Sequence, residues 1–187
     1  MRKITAGMFI AADGVVENPH EWHFPYFNEE LGAAVGAQLG SADTVLLGRT
    51  TYDVFAASWP QREEAGGEDA AMAKTLGDVR KIVVSHQDLS FTWRNSEQLK
   101  GDLLDGVRAL KQEEGGPIGM SGSVSVVRQL LAAGLLDELH LFVHPVARGR
   151  GLRLFDDTAD PIELTLLSCE TFRTGTLHVV YGPGAAA

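Results

Sequence analysis

Residues Ile118–His144 read IGMSGSVSVVRQLLAAGLLDELHLFVH, and this stretch decides the fold. Ile118 to Met120 is a short apolar strand, and Ser121-Gly122-Ser123 is a turn of small residues. Val124 to Ala133 carries a helical apolar pattern stopped by Gly134, and Glu138 to His144 is a second strand. The unit is β-α-β. A helix that starts straight after a strand and a small-residue turn offers free backbone N–H groups and the positive end of its dipole, which is a seat for an anion. Placed in such a unit, the turn points to a phosphate-bearing ligand, above all a nucleotide cofactor. The same residues also read as a plain capped turn, with Ser123 as the N-cap.

Outward from this unit the alternation continues. The spacing predicts strands at Lys3 to Ile10, Thr44 to Leu47 and Arg80 to Ser85, and a helix opening at Arg49. Phe24, Phe27, Leu31, Val35 and Leu39 lie on one helical face, and Leu103, Val107 and Leu110 mark a helix over Asp102 to Glu113. Gln61 to Asp69 is acidic, with Gly66-Gly67 at its centre, and reads as a mobile segment. A hairpin, Glu163 to Phe172 and Leu177 to Tyr181, closes the chain, leaving residues 183–187 as a frayed tail after a single domain over 1–182. Strands alternating with helices, then a terminal hairpin, predict an α/β fold: a mostly parallel sheet covered on both faces, with an antiparallel C-terminal edge.

Composition narrows the function. The chain has 187 residues, 44% hydrophobic and 22% charged, which suits one soluble domain. A formal net charge of −9 argues against nucleic-acid binding. The single cysteine, Cys169, excludes an intrachain disulfide and reads as a small core or interface hydrophobe in its strand rather than a reactive thiol. The chain opens directly on a strand and contains no apolar run of membrane-spanning length, so a cytoplasmic location is expected. His140 and His144 share a strand face without cysteines or paired carboxylates to complete a ligand set, and no metal is expected.

Further candidate contacts lie just past strand ends, where open α/β sheets bind ligands. Gly48-Arg49-Thr50-Thr51 offers two hydroxyls and an arginine fork suited to a phosphate, or a capped helix with a solvated arginine. Ser85-His86 suits a ribose or its 2′-phosphate, or simply starts a loop. Asp13-Gly14 precedes Trp22, Tyr26 and Phe27, aromatics able to sandwich a planar ring, with Asp13 as a candidate proton donor. Phe24 and Phe27 also fit the core stripe of the helix. The loop carrying Arg148, Arg150 and Arg153 suits a substrate phosphate, a solvated loop or an interface.

The chain resembles the dihydrofolate-reductase-like superfamily, in particular the branch containing the reductase domain of riboflavin biosynthesis. The marks run in order from Lys3 to Tyr181. They are Asp13-Gly14, Leu47-Gly48-Arg49-Thr50-Thr51-Tyr52, Lys81-Ile82-Val83-Val84-Ser85, Met120-Ser121-Gly122-Ser123, and Leu135-Leu136-Asp137-Glu138-Leu139 leading to His144-Pro145-Val146. The resemblance implies the superfamily's three-layer fold and an NADPH-dependent reductase. Gly48 to Thr51 would hold the adenosine-side phosphate, and Ser85 with His86 would meet the adenine ribose. Met120, Ser121, Gly122, Ser123 and Val124 would cradle the pyrophosphate, with the nicotinamide near Ala11 and Ala12. Trp22, Tyr26, Phe27 and Arg150 would face the substrate.

The nearest activity is reduction of the ribosylamino-pyrimidinone phosphate of riboflavin synthesis, in a homodimer. A nucleotide-binding or drug-sequestering dimer without turnover, and a dihydrofolate reductase, are the alternatives. Against the last, an ungapped match puts Phe27 where folate enzymes carry the acid that binds the pteridine, with Glu29 two residues on. Folate enzymes also have a Gly-Gly pair, joined by a cis peptide, at Ser121-Gly122.

Overall fold

The computed structural model describes residues 1–155 and 161–184. Among these residues eight strands form one sheet: β1 Ile4–Ala11, β2 Thr44–Gly48, β3 Arg80–Val84, β4 Ser96–Gln98, β5 Ile118–Ser121, β6 Glu138–His144, β7 Leu164–Thr171 and β8 Leu177–Pro183. Their spatial order is β4-β3-β2-β5-β1-β6-β8-β7. The first six are mutually parallel, while β8 runs antiparallel to β6 and β7 antiparallel to β8.

Among the described residues five α-helices complete the layers: α1 Glu29–Gly40, α2 Arg49–Ala65, α3 Ala70–Asp78, α4 Leu103–Gln112 and α5 Val124–Ala132. The pleat decides which side each helix covers, because successive strand residues face opposite ways. Ile4, Ala6, Leu46, Ile82 and Ile118 share a core with Val107 of α4 and with Val126, Val127 and Leu130 of α5. Their neighbours Val45, Leu47 and Val83 pack instead with Tyr52 of α2 and Leu76 of α3. Phe9 and Phe142 meet Leu31 of α1. The result is the three-layer, mostly parallel α/β sheet with a C-terminal hairpin.

Buried polar groups lock the layers. Gln38 of α1 reaches the sheet, its Nε2 donating to Thr5 O, Thr5 Oγ1 and Met120 O. It needs Gly7 beneath it, since a Cβ there would lie 2.7 Å from Gln38 Oε1. Lys81, 1% exposed, donates to the carbonyls of Leu76, Gly77 and Val79, closing the C-terminus of α3.

Several elements differ from their expected form. The segment 61–69 is mostly helical: α2 runs on to Ala65 and α3 starts at Ala70, leaving four residues between them. α1 starts at Glu29 rather than Phe24, and Phe24–Tyr26 forms a separate 3₁₀ turn. Cys169 is exposed, because β7 is the sheet edge and no layer covers it. β8 continues through Pro183, and Gly184 N donates to Glu163 O, so the chain stays tied two residues beyond the expected end. The rest of the expected tail, 185–187, lies outside the described residues.

Candidate active site

The C-terminal ends of the parallel strands share one edge of the sheet. There β1 and β5 lie side by side, but the chain leaves β1 towards α1 on one face and β5 towards α5 on the other. Strands that diverge in this way open a crevice between them, the usual ligand position in such sheets. Gly122 N donates to Gly7 O across this gap at 3.3 Å.

The turns after β2 and β5 form one structure. Ser123 stands at the N-cap of α5 but does not cap it. Its backbone is left-handed, with φ 67°, after Gly122 at φ 84°. The hydroxyl therefore turns away from its own helix. It accepts from Gly48 N at 2.6 Å and donates to Thr51 Oγ1 at 2.8 Å. α2 starts beyond Gly48, likewise without a side-chain cap, whereas Asn28 and Asp102 do cap α1 and α4. Two helix N-termini facing one crevice thus keep backbone donors free for an anion; the N-terminus of α3 is also uncapped. The Ser121–Gly122 peptide is trans, as is every peptide among the described residues.

The turn after β3 joins through a residue that the sequence did not single out. Arg49 donates to Gln87 Oε1 and pairs with Asp53 at 3.5 Å. Ser85 Oγ is bonded within its own turn, accepting from Gln87 N and donating to Gln87 O. His86, Arg49 and Thr50 are exposed. Two expected contacts lie behind this surface: the Met120 side chain is fully buried, and its carbonyl accepts from Gln38. Val124 is half-buried against the core beneath α5.

On the β1 side, Ala11 N and Ala12 N are bonded to Val15 O and Val146 O; Ala12 is exposed and Ala11 buried. Asp13 Oδ2 accepts from Gly149 N at 2.6 Å, and that bond holds its carboxyl below the usual range. Asp13 O accepts from Arg153 Nε. The residue therefore fastens the arginine loop to the β1 turn and stays ionised, which disfavours it as a proton donor. Arg148 pairs with Glu21, and Arg128 of α5 donates to Leu154 O. The Arg150 side chain is exposed, with no hydrogen bond or ion pair among the described residues.

An aromatic group lines the mouth. Trp22 is a wall rather than a stacking surface: it is buried, and its Nε1 donates to Glu17 O. Phe24 and Phe27 are 60% and 48% exposed, not core as the helical spacing suggested. Tyr26 is half-buried. Behind them lie two buried imidazoles that sequence reading had not assigned here. His23 stacks on Phe9 at 4.7 Å and packs tilted against Phe24 at 4.2 Å, and His144 packs edge-on against Phe9, Trp22 and Tyr26. Burial pushes His23 down to about 4 and lowers His144 too, although the Phe142 and Ile10 carbonyls oppose the second shift. Glu30 is occupied elsewhere, accepting from Arg173 N in the β7–β8 turn.

Sheet order, helix placement and crevice define the dihydrofolate-reductase-like class. Within it, the chain belongs to the RibD C-terminal domain family, whose model matches residues 2–178. It is similar to Bacillus subtilis protein YyaP, 27% identical over 96% of this chain and 94% of that one. A Shewanella sp. PV-4 structure described as a riboflavin biosynthesis protein superposes with a TM-score of 0.76, at 15% identity over 98% of this chain and 99% of that one. The Thermotoga maritima diaminohydroxyphosphoribosylaminopyrimidine deaminase/5-amino-6-(5-phosphoribosylamino)uracil reductase gives 0.67 at 16% identity, over 97% of this chain and 56% of that one. The family is one of reductase domains.

Proposed function

We propose that the protein is an NADPH-dependent reductase acting on a small planar heterocycle, and that it works as a homodimer. The observation that carries this reading is the Ser123 hydroxyl, which bonds to Gly48 N and Thr51 Oγ1 and so fuses two uncapped helix N-termini into one anion seat. The donor set fits a dinucleotide. The start of α5 with Ser121 to Ser123 would hold the pyrophosphate. Arg49 with Thr50 and Thr51 would hold the adenosine-side phosphate, and the turn at Ser85 to Gln87 would meet the ribose. The nicotinamide side would lie over Ala11 and Ala12.

When bound, NADPH supplies the hydride for a C=N or C=O bond. The proton for the nitrogen or oxygen comes from water, because Asp13 is held ionised by Gly149. The aromatic mouth positions the ring for the transfer. Arg150, unpaired at the rim, would take a substrate phosphate. The nearest named reaction is reduction of a ribosylamino-pyrimidinone phosphate, the activity that the Thermotoga maritima protein's name carries.

The test is a thermal shift with NADPH, with NADH and with neither. At about 100 times Kd, a ligand adds about 2.7 kcal/mol to stability. NADPH is expected to raise Tm more than NADH, and Arg49→Ala to bring the two responses together. A flat response to both cofactors overturns the reading.

A further inference from the structure

The histidine pair behind the aromatic mouth has hydrogen-bonding capacity that the protein does not use. His144 is 0% exposed, and its Nδ1 lies 2.7 Å from Phe142 O. A carbonyl only accepts, so Nδ1 carries the proton, and Nε2 of the neutral ring is a bare lone pair. That Nε2 is buried with no hydrogen-bond partner among the described residues, and the same holds for Nδ1 of His23, a side chain only 7% exposed. The two rings lie 6.2 Å apart and nearly perpendicular, in one aromatic cluster with Phe9 and Trp22. Leaving buried polar atoms without partners is unfavourable, and such an atom in a native fold calls for a partner, an ordered water or a ligand.

The cover is lightly held. Tyr26 is joined to Pro145 O by a hydroxyl contact of 3.5 Å, and Phe24 rests on His23 with most of its surface in solvent. Both belong to a 3₁₀ turn that is outside the sheet.

We infer that His23 and His144 are specificity-determining residues of the substrate site, receiving the N–H or O–H edge of a neutral planar ring when Tyr26 and Phe24 lift. The inference rests on the reductase reading for the word substrate, but the pocket itself does not depend on NADPH. With both imidazoles neutral, the opened cluster offers a lone pair in desolvated surroundings, which repels carboxylates and other anionic edges. It favours amide-like heterocycles with a ring N–H over quinones and fully N-alkylated rings.

The experiment uses the full chain and lumazine, a neutral fused dione with ring N–H groups, beside its N,N′-dimethyl analogue. Binding is read from fluorescence, with and without NADPH, and the His144 ring nitrogens are followed by NMR. Lumazine is expected to bind at least about tenfold tighter than the analogue, a difference of about 1.4 kcal/mol, and to move the Nε2 resonance. His144→Asn keeps a donor near the Nδ1 position and removes the Nε2 acceptor; it should bring the two affinities together. His144→Gln, with an oxygen near the Nε2 position, should restore the preference.

Equal affinity in the unsubstituted protein, no binding of either probe, or an unmoved Nε2 resonance overturns the inference. A preference for lumazine without any NADPH response would instead strike the reductase reading and leave the pocket standing.

Discussion

Ser123 shows how much one side chain decides here. A serine at the start of a helix ordinarily caps that helix, and the sequence reads that way. The left-handed backbone at Gly122 and Ser123 turns the hydroxyl instead towards Gly48, 75 residues earlier. Small residues and a strand-to-helix switch were legible at both turns, so both were candidate anion seats. Their fusion was not legible, because periodicity carries no information about which loop meets which. Ser123→Ala leaves Gly48 N without its acceptor and Thr51 without its donor. The expected cost is about 1–2 kcal/mol of stability, or a fall of several degrees in Tm. NADPH affinity should drop about tenfold, about 1.4 kcal/mol, checked by fluorescence titration. Unchanged affinity with lowered Tm would make the residue purely structural.

At the scale of elements, the segment before α1 diverges most from its sequence reading, for a local reason. Phe24, Phe27, Leu31, Val35 and Leu39 keep helical spacing, but Pro25 disfavours helical backbone at the residue before it. Asn28 then caps the helix that follows, its Oδ1 accepting from Leu31 N at 3.0 Å. The first two aromatics therefore fall outside the helix and become the mouth of the site. No periodicity in the sequence gives His23 a role; only the strand pairing that sets Phe9 beside Phe142 gives it its place.

Burial of His23 makes the stability of this segment pH-dependent. Its folded value of about 4 lies below the ordinary 6.5, so between those values the unfolded chain binds a proton that the folded chain refuses. Stability is full above pH 6.5 and falls as pH drops towards 4, by up to about 3 kcal/mol for this residue. His144 and His178, also lowered by burial, act in the same direction. Carboxylates held low, such as Asp13 and Asp43, lose their contribution only below the ordinary carboxylate range. Denaturant midpoints at pH 7 and pH 5 check this: His23→Phe should narrow the difference between them, and an unchanged difference would mean that His23 titrates normally.

For the whole molecule, alternation and the terminal hairpin made the layer order and the antiparallel C-terminal edge legible, while the opposite edge was not. The short strand β4 has too little pattern to read, and nothing in the sequence reveals which strand of the hairpin lies outermost. β6 lies inside the sheet, flanked by β1 and β8. One edge of the sheet is β7, which has a shift in register between Leu166 and Ser168 and leucines at 166 and 167 that are 56% and 54% exposed. Glu170 is the single charge on this eight-residue edge, and it contains no proline. Long apolar edges of this kind are protected in native proteins by charge, proline or a partner, and the first two are nearly absent here. The homodimer is therefore expected to close over β7, with a second copy covering the paired leucines. Sedimentation at micromolar concentration should give a dimer, and Leu166→Lys with Leu167→Lys a monomer with its far-UV dichroism unchanged. The lysines face solvent in the monomer, so this pair leaves the core intact and isolates the interface. A monomeric parent chain at those concentrations, or a double variant that still dimerises, would move the contact away from β7.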